Sequence, residues 1–359
     1  MLYITLYIME TLNLFQGNVI DVGIKTLQNF GIQENLSSLL VYTGAGIILF
    51  VVAAVLVLLL TYLERKILAD VQIRLGPMMA GPHGILQPLA DVMKLIFKED
   101  IKPKNRDKLL YFISPVLVFI PVLLTLVLIP FNEFLSFANV GVGLLLLIAF
   151  GSISSLGMVI AGYSSGNKYS LVSSMRSAAQ MMAYEIPMLI VALSVVVLAG
   201  SMNLVDIVNA QQNLWFAIPL LLGLFVFFVA TIAEMSRIPF DTIEAESELI
   251  AGFHIEYSGM RFAFFYLAEY LELFVGSALI TLLFLGGWNG LFDIPVVPEA
   301  ISGLFWFLAK TFTLVYIAIW LRGTLPRFRI DQVLNLGWKY LIFLALINLA
   351  IAGIIAYVF

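Results

Sequence analysis

The sequence contains no cysteine, and that absence removes several chemistries at once. Iron–sulfur ligation, thiol redox chemistry and haem attachment through cysteine all need a thiol that the chain does not have. Histidine is nearly as scarce. His83 and His254 are the only two, and both fall in segments read as lying outside a bilayer. A haem held between membrane helices by two histidines is therefore excluded as well. Any electron chemistry belongs to a partner or to a diffusible substrate. Charge is also thin: Asp, Glu, Lys and Arg make up 12% of the 359 residues, against about a quarter in soluble domains.

What fills the space is apolar. Hydrophobic residues reach 62% and the mean hydropathy is +1.03, which places the chain as an all-α polytopic membrane protein. The opening MLYITLYIM is too short and lacks the basic start and small-residue cleavage site of a signal peptide, so it reads as mature sequence. A transmembrane helix needs about 20 apolar residues. Eight such runs are predicted, at roughly 43–63, 110–130, 141–163, 180–200, 214–235, 260–285, 303–322 and 338–358. Residues 1–42 then form an extramembrane arm, with one helix around Val19 to Asn29, and residues 43–359 form a single membrane domain.

The cations sort themselves by loop. After span 1 come Arg65, Lys66, Arg74, Lys94, Lys98, Lys102, Lys104, Arg106 and Lys108; after span 3, Lys168 and Arg176. Arg237 and Arg261 follow span 5, and Arg322, Arg327, Arg329 and Lys339 follow span 7. The loops after spans 2, 4 and 6 have none, and the N-terminal arm has only Lys25. By the positive-inside rule the odd-numbered loops are cytoplasmic and both termini lie outside. Lys310 falls inside span 7.

The first cytoplasmic loop, 64–109, is more than a connector. From Pro82 to Glu99 the residues Ile85, Leu86, Leu89, Val92, Met93, Ile96 and Phe97 recur at helical spacing, with Gln87, Asp91, Lys94 and Lys98 largely opposite. Such an amphipathic helix suits the membrane interface; the plainer reading is a helix packed on a soluble partner. The second loop, 162–180, is rich in Gly and Ser and reads as a small-residue packing region. Pro115, Pro121 and Pro130 in span 2 and Pro187 in span 4 mark helices that neighbours must re-satisfy.

Carboxylates inside a membrane are costly and default to function. Glu185 opens span 4, Glu234 closes span 5, and Glu269 and Glu272 sit mid-span, three residues apart, beside Tyr266 and Tyr270. Glu234 has a local candidate partner in Arg237, at i+3. The acidic loop 236–259 carries Asp241, Glu244, Glu246, Glu248 and Glu256. Exposed, that cluster is an ordinary solvated face. Folded into a low-dielectric pocket, it would titrate as a coupled set and could relay protons. The flanking Pro239-Phe240, Ala251-Gly252-Phe253 and Tyr257-Ser258-Gly259 favour a folded, re-entrant structure over a floppy linker.

The stretch from Glu234 through Arg237, Asp241 and Glu244–Glu248 to His254-Ile-Glu-Tyr-Ser-Gly-Met260 closely resembles the signature of the chain 1 (H-subunit) family of NADH–quinone oxidoreductase, respiratory complex I. Leu63-Glu-Arg-Lys, Gln72-Ile-Arg-Leu-Gly-Pro77, Gly84-Ile-Leu-Gln-Pro-Leu-Ala-Asp91, Gly166-Asn-Lys-Tyr-Ser-Leu171, Tyr184-Glu-Ile186, Phe284-Leu-Gly-Gly-Trp288 and Arg329-Ile-Asp-Gln332 extend the likeness from about residue 45 to the C-terminus. Where the family commonly has Leu-Pro, this chain has Thr242-Ile243, with every acid kept.

The resemblance implies an eight-helix subunit at the junction of the membrane and hydrophilic arms, helping to form the chamber where quinone is reduced. It implies quinone as substrate, no cofactor bound in this chain, and iron–sulfur clusters, flavin and NADH in partner subunits. The partners implied are the quinone-site and iron–sulfur subunits of the peripheral arm, small membrane-arm subunits and lipid, with no nucleic acid. It puts Arg65, Arg74, Asp91 and Arg237 at the quinone passage. It puts Glu185, Glu234, Asp241, Glu244, Glu246, Glu248 and Glu269 on the proton path. Related subunits occur in ferredoxin-dependent quinone oxidoreductases and membrane-bound hydrogenases. From the residues alone, a stand-alone proton or cation transporter and a simple membrane anchor also stay open, and the expected membrane is a bacterial plasma (inner) membrane.

Overall fold

A computed structural model of the chain describes residue 28 and residues 34–358, apart from residues 134, 244–245 and 291–297 and the side chains of residues 34, 246–247 and 299–300. The described residues contain helices and no strand. In chain order these are α1 (Glu34–Val71), α2 (Gln87–Phe97), α3 (Lys108–Leu128), α4 (Gly143–Ser164), α5 (Lys168–Ala199), α6 (Leu204–Asn209), α7 (Leu221–Glu234), α8 (Glu246–Leu249), α9 (Gly259–Phe284), α10 (Glu299–Thr324), α11 (Ile330–Asn335) and α12 (Ile342–Val358). A π-helical stretch, Leu336–Leu341, joins the last two into one rod.

Seven of these elements are long and apolar enough to cross a membrane: α1 from Asn35, α3, α4, α5, α9, α10 from Ile301, and the rod Ile330–Val358. Leu221–Glu234 is apolar but shorter. The run expected at 214–235 loses its first turns because Pro219 has no N–H to give a helix and restricts the residue before it. The chain takes turns there until Leu220, at the N-cap, starts α7.

Two helices outrun the stretches predicted for them. α1 continues to Val71, past the expected end at 63, so Glu64 and Arg65 stand on a helix rather than in a loop. α5 begins twelve residues before the expected position 180, at Lys168, so most of the Gly/Ser-rich segment 162–180 is helical. Asn167 caps it, accepting a hydrogen bond from the Tyr169 N–H at 3.0 Å. The serines on this helix donate to other segments: Ser170 to the Phe253 carbonyl and Ser173 to the Ile243 carbonyl, each at 2.8 Å. The helix expected over Val19 to Asn29 lies, but for residue 28, outside the described residues.

α9 is the axis. It packs on α1, α2, α3, α6, α7 and α10, and 78% of its apolar window is buried, the highest share of the seven. Elsewhere α3 packs on α4, and α5 on α4, α7 and α12. Small residues set the spacing: a Cβ on Gly157 of α4 would come within 2.6 Å of Val118 Cγ2 on α3. Lys310 of α10 ties the far end of α9, its Nζ donating to the carbonyls of Leu285, Gly287 and Asn289 at 2.6, 3.0 and 2.6 Å.

Candidate functional site

The α1–α9–α10 contact holds a charged quartet built on Glu64, a residue that sequence reasoning placed in the basic loop and assigned no role. Glu64 is 5% exposed and receives Arg237 at 2.7 Å and Arg322 of α10. Arg237 Nη2 also lies 3.1 Å from Glu269 Oε1, an ion pair without hydrogen-bond geometry. The same guanidinium stacks over the Tyr270 ring at 4.7 Å, and the Tyr270 and Tyr266 hydroxyls are 3.1 Å apart. Burial opposes the charge on Arg237, but Glu64 and then Glu269 outweigh it and hold the guanidinium above its usual range. Arg237 therefore does not serve Glu234, the pairing expected from i+3 spacing. Two features turn it away. α7 ends at Glu234, and Ser236 takes a positive φ of 53°, so the chain has left helical geometry before it reaches Arg237.

Glu234 stays with other carboxyls. It is close enough to Glu272 and Glu185 for their charges to act on it. Those two are held by hydroxyls of α4: Ser154 donates to Glu272 Oε1 at 2.7 Å, and Ser152 to Glu185 Oε1. Gly151 leaves the gap that Glu234 occupies, since a Cβ there would lie 3.3 Å from its Oε1.

Two cavities run through this group. One of about 90 Å³ is lined by Ser236, His254, Tyr266, Glu269 and Glu272 among apolar neighbours. The other, of about 60 Å³, is lined by Thr125, Ser155, Thr231, Glu234 and Glu272.

The acidic loop is folded where it is described. Phe240, Ile243 and Phe253 are buried. Gln180 of α5 stitches it down, donating to the Ala233 and Phe240 carbonyls at 2.8 and 2.9 Å and accepting from the Thr242 hydroxyl at 2.6 Å. The Thr242-Ile243 departure is thus absorbed by one hydrogen bond and one buried side chain.

The loop's acids find partners in other segments. Asp241 meets Arg327 at 2.8 Å, Glu248 meets Arg176, and Glu256 accepts from Asn167 at 2.8 Å. Tyr257 is buried and pushed up by that burial, although hydrogen bonds with Ser114 and Ser164 pull the other way. Glu244 lies outside the described residues, as does the side chain of Glu246, whose backbone opens α8.

The four residues expected at a quinone passage do not gather in one place. Arg65 and Asp91 join α1 to α2 through a 2.6 Å ion pair. Arg74 is exposed and bonds Gln72 at 2.7 Å. Arg237 is in the buried quartet. Ile73, Leu75 and Met79, between α1 and α2, and Phe97, at the end of α2, are strongly exposed apolar side chains.

The profile of the NADH dehydrogenase family matches residues 45–353. The H subunit of NADH-quinone oxidoreductase from Geobacillus thermodenitrificans is 47% identical over 320 residues, covering 89% of this chain and 95% of that protein. Its counterparts from Brevibacillus brevis and Bacillus thuringiensis, which carry the same description, are 45% and 44% identical, covering 85% and 92% of this chain and 93% and 96% of their own lengths.

Proposed function

The chain belongs to the NADH dehydrogenase family, as a multi-pass membrane subunit of the multi-subunit enzyme NADH–quinone oxidoreductase, and from that premise we propose that it walls the quinone chamber and couples quinone chemistry to proton movement. The observation that supports this reading is the series of carboxyls that leads from the buried Glu64 and its Arg237–Glu269 partners, past Glu272, to Glu234 and Glu185, the last four half-buried around two cavities. Arg65, Arg74, Asp91 and Arg237 serve the quinone passage. Asp241, Glu244, Glu246 and Glu248 serve as the acidic link between quinone chemistry and proton transfer, and Glu269, Glu234 and Glu185 carry protons onward.

Reduction of a quinone to a quinol takes up two electrons and two protons. The electrons come from an iron–sulfur cluster in a partner subunit, since this chain has no thiol to ligate one. Drawing protons from carboxyls in a low-dielectric site leaves charge that neighbouring pairs must answer, which is how a local redox event reaches distant carboxylates.

In the membrane, Leu221–Glu234 acts as an eighth span, lengthened by the turns before it. The loops after spans 1, 3, 5 and 7 face the cytoplasm and dock the peripheral arm, and both termini lie outside. α2 lies in the interface beside the quinone entrance, with Leu89, Met93, Ile96 and Phe97 toward lipid. The membrane is a bacterial plasma (inner) membrane.

Glu248→Gln and Glu246→Gln in the assembled complex test the coupling role. Quinone reduction is expected to be abolished while NADH oxidation by ferricyanide persists. Normal turnover and pumping in both variants would sink the proposal.

A further inference from the structure

The family resemblance assigns Glu272 no role, yet among the described residues it stands, with Met235, where the two cavities share a wall. It lies one turn beyond Glu269 on α9 and accepts its hydrogen bond from Ser154, which is fully buried on α4. Among the described residues lining the 90 Å³ and 60 Å³ cavities, only Glu272 and Met235 line both. Glu269 borders the first cavity alone and Glu234 the second alone. Each cavity exceeds the roughly 10–15 Å³ that admits a water, and each has hydroxyl and carboxyl groups to bind one.

We propose that Glu272 is a further proton carrier, passing protons between the two cavities beside Met235. This rests on the proton path proposed above. In one transfer, Glu269, first protonated from the quinone side and so released from its ion pair with Arg237, gives its proton through the first cavity to the Glu272 carboxylate. Glu272 then gives it through the second cavity to the Glu234 carboxylate. Glu269 ends ionised, Glu234 ends protonated and Glu272 returns to its starting state, so one proton has moved. The Ser154 hydroxyl holds one carboxylate oxygen at the shared wall and leaves the other to take the proton. Met235, unbranched and flexible, is the soft part of that wall. Gly276 gives it room, since a Cβ there would run into Met235 Cε and Thr231 Cγ2.

A merely structural Glu272, satisfied by Ser154, would tolerate an amide. The test is made in intact complex in membrane vesicles, reading NADH-driven quinone reduction and vesicle acidification, with the NADH–ferricyanide rate reporting assembly. Glu272→Gln is expected to cut both coupled rates by at least about tenfold at an unchanged ferricyanide rate. Glu272→Asp should restore most of the loss, and Ser154→Ala should slow turnover several-fold. Full coupled turnover in Glu272→Gln, with Glu234→Gln blocked, removes Glu272 from the path and leaves the path standing. Full turnover in both variants removes the path itself. If Glu272→Gln does not assemble, Ser154→Ala decides, and an unchanged rate there overturns the proposal.

Discussion

Glu64 shows what a single residue can hide in a sequence. It stands at the end of an apolar run and directly before Arg65 and Lys66, so it reads as part of a basic loop. Its real partners are Arg237 and Arg322, remote in the chain and brought in by two other segments. Local spacing gave Arg237 to Glu234 because i+3 neighbours meet on a helix, and the helix stops too soon for that. Glu185, Glu234 and Glu269 were legible for the opposite reason: each interrupts an apolar run, and a carboxylate there demands an explanation. Removing Glu64 leaves two guanidiniums, one of them buried, with Glu269 alone to answer them. Glu64→Ala is therefore expected to cost about 3–5 kcal/mol. Thermal unfolding of the detergent-solubilised complex checks this, and an unshifted midpoint would mean that the quartet contributes little.

Among the elements, α5 and the rod α11–α12 explain each other. Pro187 lacks an N–H, so the carbonyl of Ala183 loses its helical partner. At that turn Gly337 packs closely enough that a Cβ would lie 2.9 Å from the Ala183 oxygen. One turn away the Tyr184 hydroxyl donates to the Val333 carbonyl at 2.8 Å. The π-helical stretch that contains Gly337 brings its backbone onto the proline break. The prolines were visible in the sequence as helices needing outside help, but which segment supplies it depends on tertiary packing that no local pattern encodes. Gly337→Val is predicted to destabilise this docking by about 1–3 kcal/mol and to lower the amount of assembled complex on a native gel. An equal yield would show that the rod can shift without loss.

For the whole molecule, apolar runs report membrane spans well and their neighbours hardly at all. The rod Ile330–Val358 is among the more apolar spans and only 22% of its window is buried, whereas α9 has the lowest hydropathy of the seven and is the most enclosed. Lipid is as apolar as a protein interior, so hydropathy cannot separate the two surroundings, and polarity inside a span is the better sign of a central position. Topology is testable because the chain has no cysteine of its own. Met79→Cys, at a position 99% exposed, is expected to react with a membrane-impermeant maleimide in inside-out vesicles and not in right-side-out ones. Met202→Cys, in the loop after α5, should show the reverse. Labelling of both from one face would overturn the proposed orientation.

The central position of α9 also bears on the order of synthesis. α1, α3, α4, α5 and α7 all precede Gly259, the first residue of α9, and so leave the ribosome before it. Ser154 must wait for Glu272, and the Tyr111 hydroxyl for the Glu256 carbonyl it reaches at 2.8 Å. During that interval the polar groups that the early helices turn toward α9 in the finished bundle lack those partners. The bundle closes late, around a helix that arrives after most of its walls.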